Sequence, residues 1–219
     1  GTNREVKVVH DNTFALSQAI DDIVARGGSY LDMPSGVYLT NKLIVPTSFT
    51  IKGAGKNTII KQQFFANDAN DDGGNSLDLD NNLVGIAVTN GKDITLNNIT
   101  IDGNSANNIR FESDDDNYMV YFKGVSSSLF KSIELRNSPA HGLLIKDSRR
   151  VSVENSSFVD GSLTDRYPFE PIQAQESEVL RINDSLFENY PGPVDVSVTS
   201  VVSTGGNIIR NCGTGLRTY

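Results

Sequence analysis

The stretch that decides the fold is Ile94–Asn104, ITLNNITIDGN, because four later stretches repeat its pattern: SLFKSIELRNS (Ser128–Ser138), VSVENSSFVDG (Val151–Gly161), LRINDSLFENY (Leu180–Tyr190) and VSTGGNIIRNC (Val202–Cys212). Set one beneath another, their third column reads Leu96, Phe130, Val153, Ile182 and Thr204, and the eighth reads Ile101, Leu135, Phe158, Phe187 and Ile209. The fifth column is small or polar (Asn98, Ser132, Asn155, Asp184, Gly206), and the tenth is Gly103, Asn137, Asp160, Asn189 and Asn211. The blocks start 34, 23, 29 and 22 residues apart. A unit of 22 or 23 residues, lengthened by about 12 and about 7 residues in two units, accounts for all four spacings. Such self-similarity is the mark of a solenoid, and the absence of Leu-rich, helix-spaced units excludes a leucine-rich repeat. The expected fold is all-β, a right-handed parallel β-helix of 22–23 residues per coil, with the third and eighth columns as inward ladders and Asn or Asp at the bends.

Working toward the N-terminus, the pattern changes twice. Residues 29–61 read as short alternating strands broken at Pro34-Ser35-Gly36, Pro46-Thr47 and Gly53-Ala54-Gly55. Before them, residues 11–26 give the only helical signal: Asp11, Asn12 or Thr13 can cap it, Leu16, Ile20, Ile23 and Val24 share one face, and Gly27-Gly28 ends it. A short amphipathic helix there would cover the open end of the β-structure. The organisation expected is an N-terminal cap at 1–61 and one continuous run of coils at 62–219. The chain opens on Gly1 rather than Met and stops at Tyr219 inside what reads as another strand, so the natural protein is expected to continue, or that end to be covered by a partner or a second subunit.

Composition narrows the function classes. The 219 residues carry 19 Lys+Arg against 27 Asp+Glu, a net charge of −8, with a pI near 4.7. That balance argues against nucleic-acid binding, which needs a basic face. One cysteine, Cys212, excludes an internal disulfide framework and a Cys-cluster zinc site, and two histidines, His10 and His141, exclude a His-rich one. No apolar run approaches the length of a membrane span, so no membrane insertion is expected, and the first residues lack an apolar signal region.

The N-terminal run Leu31-Asp32-Met33-Pro34-Ser35-Gly36-Val37-Tyr38 … Ile51-Lys52-Gly53-Ala54-Gly55 … Thr58-Ile59-Ile60, after Phe14, Ala19-Ile20 and Gly27-Gly28, resembles the capping module of pectate-lyase-like right-handed β-helices. The strand end Ile101-Asp102-Gly103-Asn104 is also common there. The resemblance covers nearly the whole chain and is specific for fold. It implies membership among polysaccharide lyases, hydrolases, epimerases and the tail proteins of bacteriophages. The Asn-, Asp- and Ser-rich style is most similar to the phage proteins. That likeness implies a virion tail or baseplate protein, a homotrimer in contact with other virion proteins, recognising a host-surface polysaccharide. The alternatives are a secreted polysaccharide lyase, hydrolase or epimerase, and a bacterial surface adhesin.

Insertions in a solenoid become loops on one face. Ser105–Asn117 and Ser162–Pro171 both follow the tenth column, and the polar segment Gln62–Asn82 occupies the equivalent place one coil earlier, so three loops are expected at one corner. The strands entered from that corner, around Met119–Lys123, Leu143–Asp147, Ile172–Glu176 and Val194–Val198, then present Tyr121/Lys123, Leu144/Lys146, Gln173/Gln175 and Asp195/Ser197 outward. With the Tyr167 ring this strip gives candidate glycan-binding residues Tyr121, Lys123, Lys146, Tyr167, Gln173 and Gln175, and an open gap over Leu144 and Lys146. Candidate catalytic carboxylates are Asp165, Glu170 and Asp195. His141 reads as a bend residue rather than a catalyst. No cofactor and no metal is expected; calcium at the acidic runs Asp114–Asp116 or Asp71-Asp72 with Asp78 and Asp80 is the one exception. No catalytic triplet is recognisable, and the absence of Trp favours recognition over catalysis.

Overall fold

The computed structural model describes residues 11–63, 84–107, 118–139, 141–161, 170–192, 194–213 and 216–218. Helix α1 (Thr13–Ala25) precedes seven coils. The first coil holds β1 (Tyr30–Met33), β2 (Gly36–Thr40) and β3 (Leu43–Ile44); the second β4 (Thr50–Gly53), β5 (Thr58–Gln62) and β6 (Val84–Thr89). The third holds β7 (Ile94–Asn97), β8 (Thr100–Asp102) and β9 (Tyr118–Lys123); the fourth β10 (Ser128–Lys131), β11 (Glu134–Ser138) and β12 (His141–Lys146). The fifth and sixth are β13 (Arg150–Glu154), β14 (Ser157–Gly161), β15 (Ile172–Asn183), β16 (Leu186–Glu188) and β17 (Val194–Gly205), and β18 (Ile208–Arg210) and β19 (Leu216–Thr218) end the stack. Every strand pairing is parallel, and coil stacks directly on coil from β1 onward. This is a parallel β-helix.

Each coil has three faces. On face 1 the third column runs Ile51, Leu96, Phe130, Val153, Ile182, Thr204 in register. On face 2 the eighth column runs Ile60, Ile101, Leu135, Phe158, Phe187, Ile209. On face 3 Leu43, Ile86, Val120, Leu143 and Ile172 align. These ladders make one continuous apolar core. Within it the rings of Phe158 and Phe187 stack at 5.1 Å, 13° between planes, an arrangement worth about 0.5–1.5 kcal/mol beyond the area it buries.

The corners explain the polar columns. Asn98, Ser132, Asn155 and Asp184 all turn the chain from face 1 to face 2 with φ between 47° and 58°, a left-handed conformation that Asn and Asp tolerate better than most residues. The serines after the Asn155 and Asp184 turns build a second ladder. The Ser156 hydroxyl accepts the Ile133 N–H (3.3 Å) and donates to the Glu154 carbonyl (2.8 Å), and the Ser185 hydroxyl accepts the Ser156 N–H (3.2 Å) in the same way. Ser148 and Ser177 repeat the device between faces 3 and 1. Buried amides that the strands cannot reach are thereby paired. In the fifth and sixth coils, β15 and β17 run unbroken across that corner and join faces 3 and 1.

Helix α1 is shorter at both ends than the 11–26 expected. Asp11 Oδ1 accepts the Thr13 N–H at 2.8 Å, while the Asn12 side chain accepts the Leu39 N–H at 2.9 Å and ties the helix start to β2. Leu16 and Ile20 are buried and Ile23 packs on the core, but Val24 is 46% exposed, because the buried stripe is narrower than the apolar face of the sequence. The final block departs from its columns too: Thr204 and Ile209 are exposed, since β18 and this end of β17 each have a partner strand on one side only among the described residues.

Candidate functional site

The three long connections, residues 63–83, 103–117 and 162–171, join β5 to β6, β8 to β9 and β14 to β15, all at the corner between faces 2 and 3. The first and fourth coils close the same corner with residues 41–42 and 139–140. The insertions therefore lie at the corner expected from the spacing. Most of their residues, including Asp165, Tyr167 and both acidic runs with calcium-ligand chemistry, lie outside the described residues.

Face 3 behaves unusually on its outer side. Core residues Val120, Leu143, Ile172, Phe122 and Ile145 point in, so Tyr121, Leu144, Gln173 and Asp195, aligned in one row, point out. Yet Tyr121 and Leu144 are each only 1% exposed and form a second apolar cluster with Val84, Ala87 and Tyr118, outside the sheet and separate from the core. The open gap expected over Leu144 is therefore closed. Period-2 alternation tells which side a residue takes, but not whether something covers that side. The next row outward, Lys123, Lys146 and Gln175, and also Gln173, remain half-buried.

Beside this cluster the structure assembles a polar group. Two residues before the inward Val120, Leu143 and Ile172 stand Tyr118, His141 and Glu170. The Tyr118 ring stacks on the imidazole at 5.2 Å, and its hydroxyl donates to Gln173 Oε1 at 2.8 Å. His141 Nδ1 lies 2.5 Å from Glu170 Oε2 and 3.1 Å from the Glu170 backbone N–H. Nδ1 accepts the Glu170 backbone N–H, and the Glu170 carboxyl lies against the same edge of the ring. His141 is 4% exposed and Glu170 8%. His141 is thus not a plain bend residue, and together with Tyr118 it is the part of this group that reading for motifs passes over. Counting two places back from each inward residue of face 3 would have found it.

Asp195, also buried on the outer row, sits one coil beyond Glu170 and three residues along. Among the described residues no group of three or more His, Cys, Asp or Glu side chains is placed to hold a metal ion, and no helix is long and apolar enough to cross a membrane.

The chain thus carries a covered polar group on the outside of a parallel β-helix, at the corner where its loops leave. No protein-family model matches the sequence, and no curated protein matches it. Among solved structures the chain is similar to a candidate glycosyl hydrolase from Parabacteroides merdae, with 18% identity and a TM-score of 0.68 over 94% of this chain and 89% of that one. It is also similar to the Streptococcus pneumoniae surface protein and adhesin PfbA, with 16% identity and a TM-score of 0.64, spanning 91% of this chain and 57% of the adhesin chain. The A-module of the Azotobacter vinelandii mannuronan C-5 epimerase AlgE4 superposes at a TM-score of 0.36. At these identities the first two likenesses speak for the fold, and they agree with the parallel β-helix seen in the strand pairing.

Proposed function

We propose that the chain binds a polysaccharide along face 3 and cleaves it with Glu170 and Asp195. The observation that carries this reading is the Glu170–His141 pair, a carboxyl and an imidazole in contact and nine-tenths buried on the outer side of a sheet rather than in the core. Ionisable groups held from water beside a surface strip are functional-site candidates. In this reading Glu170 carries the proton to the leaving oxygen, His141 holds that proton in place, and Asp195 activates water. Fold likeness to a candidate glycosyl hydrolase is consistent with it.

Release of reducing ends from a panel of capsular, lipopolysaccharide and plant polysaccharides tests the reading. Glu170→Gln and Asp195→Asn are each expected to lower the rate by about 10²–10⁴-fold. Full activity in either variant would remove that residue from the chemistry.

A second reading keeps the surface and drops the cleavage: the half-buried row Lys123, Lys146 and Gln175 beside Gln173 recognises the glycan and nothing is cut. The bacteriophage-tail setting, as a homotrimer meeting a host-surface polysaccharide, belongs to this reading and rests on the style of the Asn- and Asp-rich turns. Wild-type protein that binds a glycan without releasing product, and sediments as a trimer, would favour it.

A further inference from the structure

We infer that Asn90 is a self-modifying site, which loses its side-chain amide to the Gly91 backbone nitrogen and becomes aspartate or isoaspartate at the corner between faces 3 and 1. The Gly91 nitrogen attacks Asn90 Cγ and gives its proton to the departing amide. The Cγ–Nδ2 bond breaks, and ammonia leaves behind a five-membered succinimide. Water then opens the ring. Attack at Cγ restores the ordinary main chain as aspartate. Attack at the α-carbonyl routes the main chain through Cβ and Cγ as isoaspartate, one carbon longer. The chain and water supply every atom.

The structure singles out Asn90 among the asparagines that turn the corners. Glycine follows it, so no side chain crowds the attacking nitrogen. Asn90 is exposed, and among the described residues neither its carboxamide nor the Gly91 N–H makes a hydrogen bond. The amides on either side are held: the Asn90 N–H donates to the Lys123 carbonyl at 2.8 Å and the Lys92 N–H to Thr47 Oγ1 at 3.1 Å. Gly91 is buried, but the attack is intramolecular and water enters at the exposed carboxamide. Gly124, stacked on the next coil, leaves that carboxamide room to turn, since a Cβ there would stand 2.6 Å from Asn90 Oδ1. The other left-handed asparagines are held back. Asn98, Asn104, Asn137, Asn189 and Asn211 keep their side chains in hydrogen bonds. Asn155 has a free carboxamide, but its attacking nitrogen, that of Ser156, donates to Ser185 Oγ at 3.2 Å. The corner suits only one of the two products. Asp147 stands two coils on at the same corner, with φ 50° against 52° at Asn90 and its N–H on the Gln175 carbonyl, so aspartate fits. An extra main-chain carbon displaces Gly91, whose carbonyl accepts the Ser126 N–H at 3.0 Å.

The test is to hold the full chain at mildly alkaline pH, warm but well below its melting temperature, and to follow each peptide by mass spectrometry with an isoaspartate assay. The peptide containing Asn90 should gain the mass of amide hydrolysis at least about tenfold faster than that containing Asn155, whose reaction must first break a ladder bond. In Ser185→Ala, which frees the Ser156 N–H, the Asn155 rate should rise while the Asn90 rate stays as it was. Asn90→Asp should keep the melting temperature, whereas the isoaspartate-bearing fraction should melt lower. An Asn90 peptide that gains no mass, or gains it no faster than that of Asn155, overturns the site. An Asn155 rate unmoved by Ser185→Ala overturns the reason given for its selectivity, and equal melting of the two products overturns the account of the corner.

Discussion

Tyr118 lies over His141, with 5.2 Å between ring centroids and 28° between planes, one coil away from the histidine it covers. The stack fixes the imidazole edge toward Glu170, while the Tyr118 hydroxyl is held by Gln173 one coil beyond. Tyr118→Phe keeps the ring and loses that hydrogen bond, so unfolding in urea should show a loss of about 0.5–1.5 kcal/mol. Tyr118→Ala removes a buried ring and should cost about 3–5 kcal/mol. Equal losses for the two would mean that the ring does not hold this cluster.

Gly161 ends β14 directly against Tyr190. A Cβ at Gly161 would stand well inside van der Waals contact of the Tyr190 ring, and Gly142 faces the hydroxyl of the same tyrosine from the neighbouring coil. Tyr190 is fully buried, so its ring has little room to yield. Gly161→Ala should destabilise by about 1–3 kcal/mol, and adding Tyr190→Leu should recover part of that loss. Strict additivity in the double variant would argue that the ring is not what the new methyl meets.

The same tyrosine predicts a pH response. Burial, the largest cause, pushes the Tyr190 hydroxyl far above its ordinary value near 10, and a hydrogen bond with Ser138 offsets only part of this. Because the folded-state value is the higher one, the neutral hydroxyl's contribution is complete below about pH 10 and is lost as pH rises beyond it. Stability should fall by up to about 1.4 kcal/mol per pH unit there. Tyr190→Phe should flatten that fall, and identical slopes in both proteins would contradict the assignment.

The serine ladder predicts coupling between coils. Ser156→Ala leaves the Ile133 amide without its acceptor and should cost about 1–3 kcal/mol. Ser185→Ala should do the same to the Ser156 amide. Since Ser156 takes part in both bonds, the double variant should differ from the sum of the singles by more than 0.5 kcal/mol, about the smallest coupling such cycles resolve. Thermal denaturation of the four proteins gives the cycle directly.

The coil was legible in the sequence because its period is short and its columns are chemically distinct. Leu96, Phe130, Val153 and Ile182 fall into one column at a constant offset, and all four are buried on one face. The insertions' corner came from the same count. The burial of Tyr121 and Leu144 was not legible, since alternation gives the side a residue takes and not how far it is buried there. Nor was the Glu170–His141 pair: the two residues lie 29 positions apart, and only the register brings them together. Val24 misleads for a different reason, as a helix with one buried stripe can carry an apolar residue at the stripe's margin without burying it.

A coil shared among three ladders restricts where its length can change. One residue added within a face would slide every inward side chain outward and mis-set the serine and asparagine corners above and below. At the corner between faces 2 and 3 the same coil accommodates connections from residues 41–42 to residues 63–83 without disturbing its neighbours' register. The long insertions thereby gather at a single edge of the molecule, while the corner between faces 1 and 2 changes by only a few residues in the first coils. The scaffold and the surface that meets a ligand can then diverge independently, one under selection for stacking and the other for what it touches.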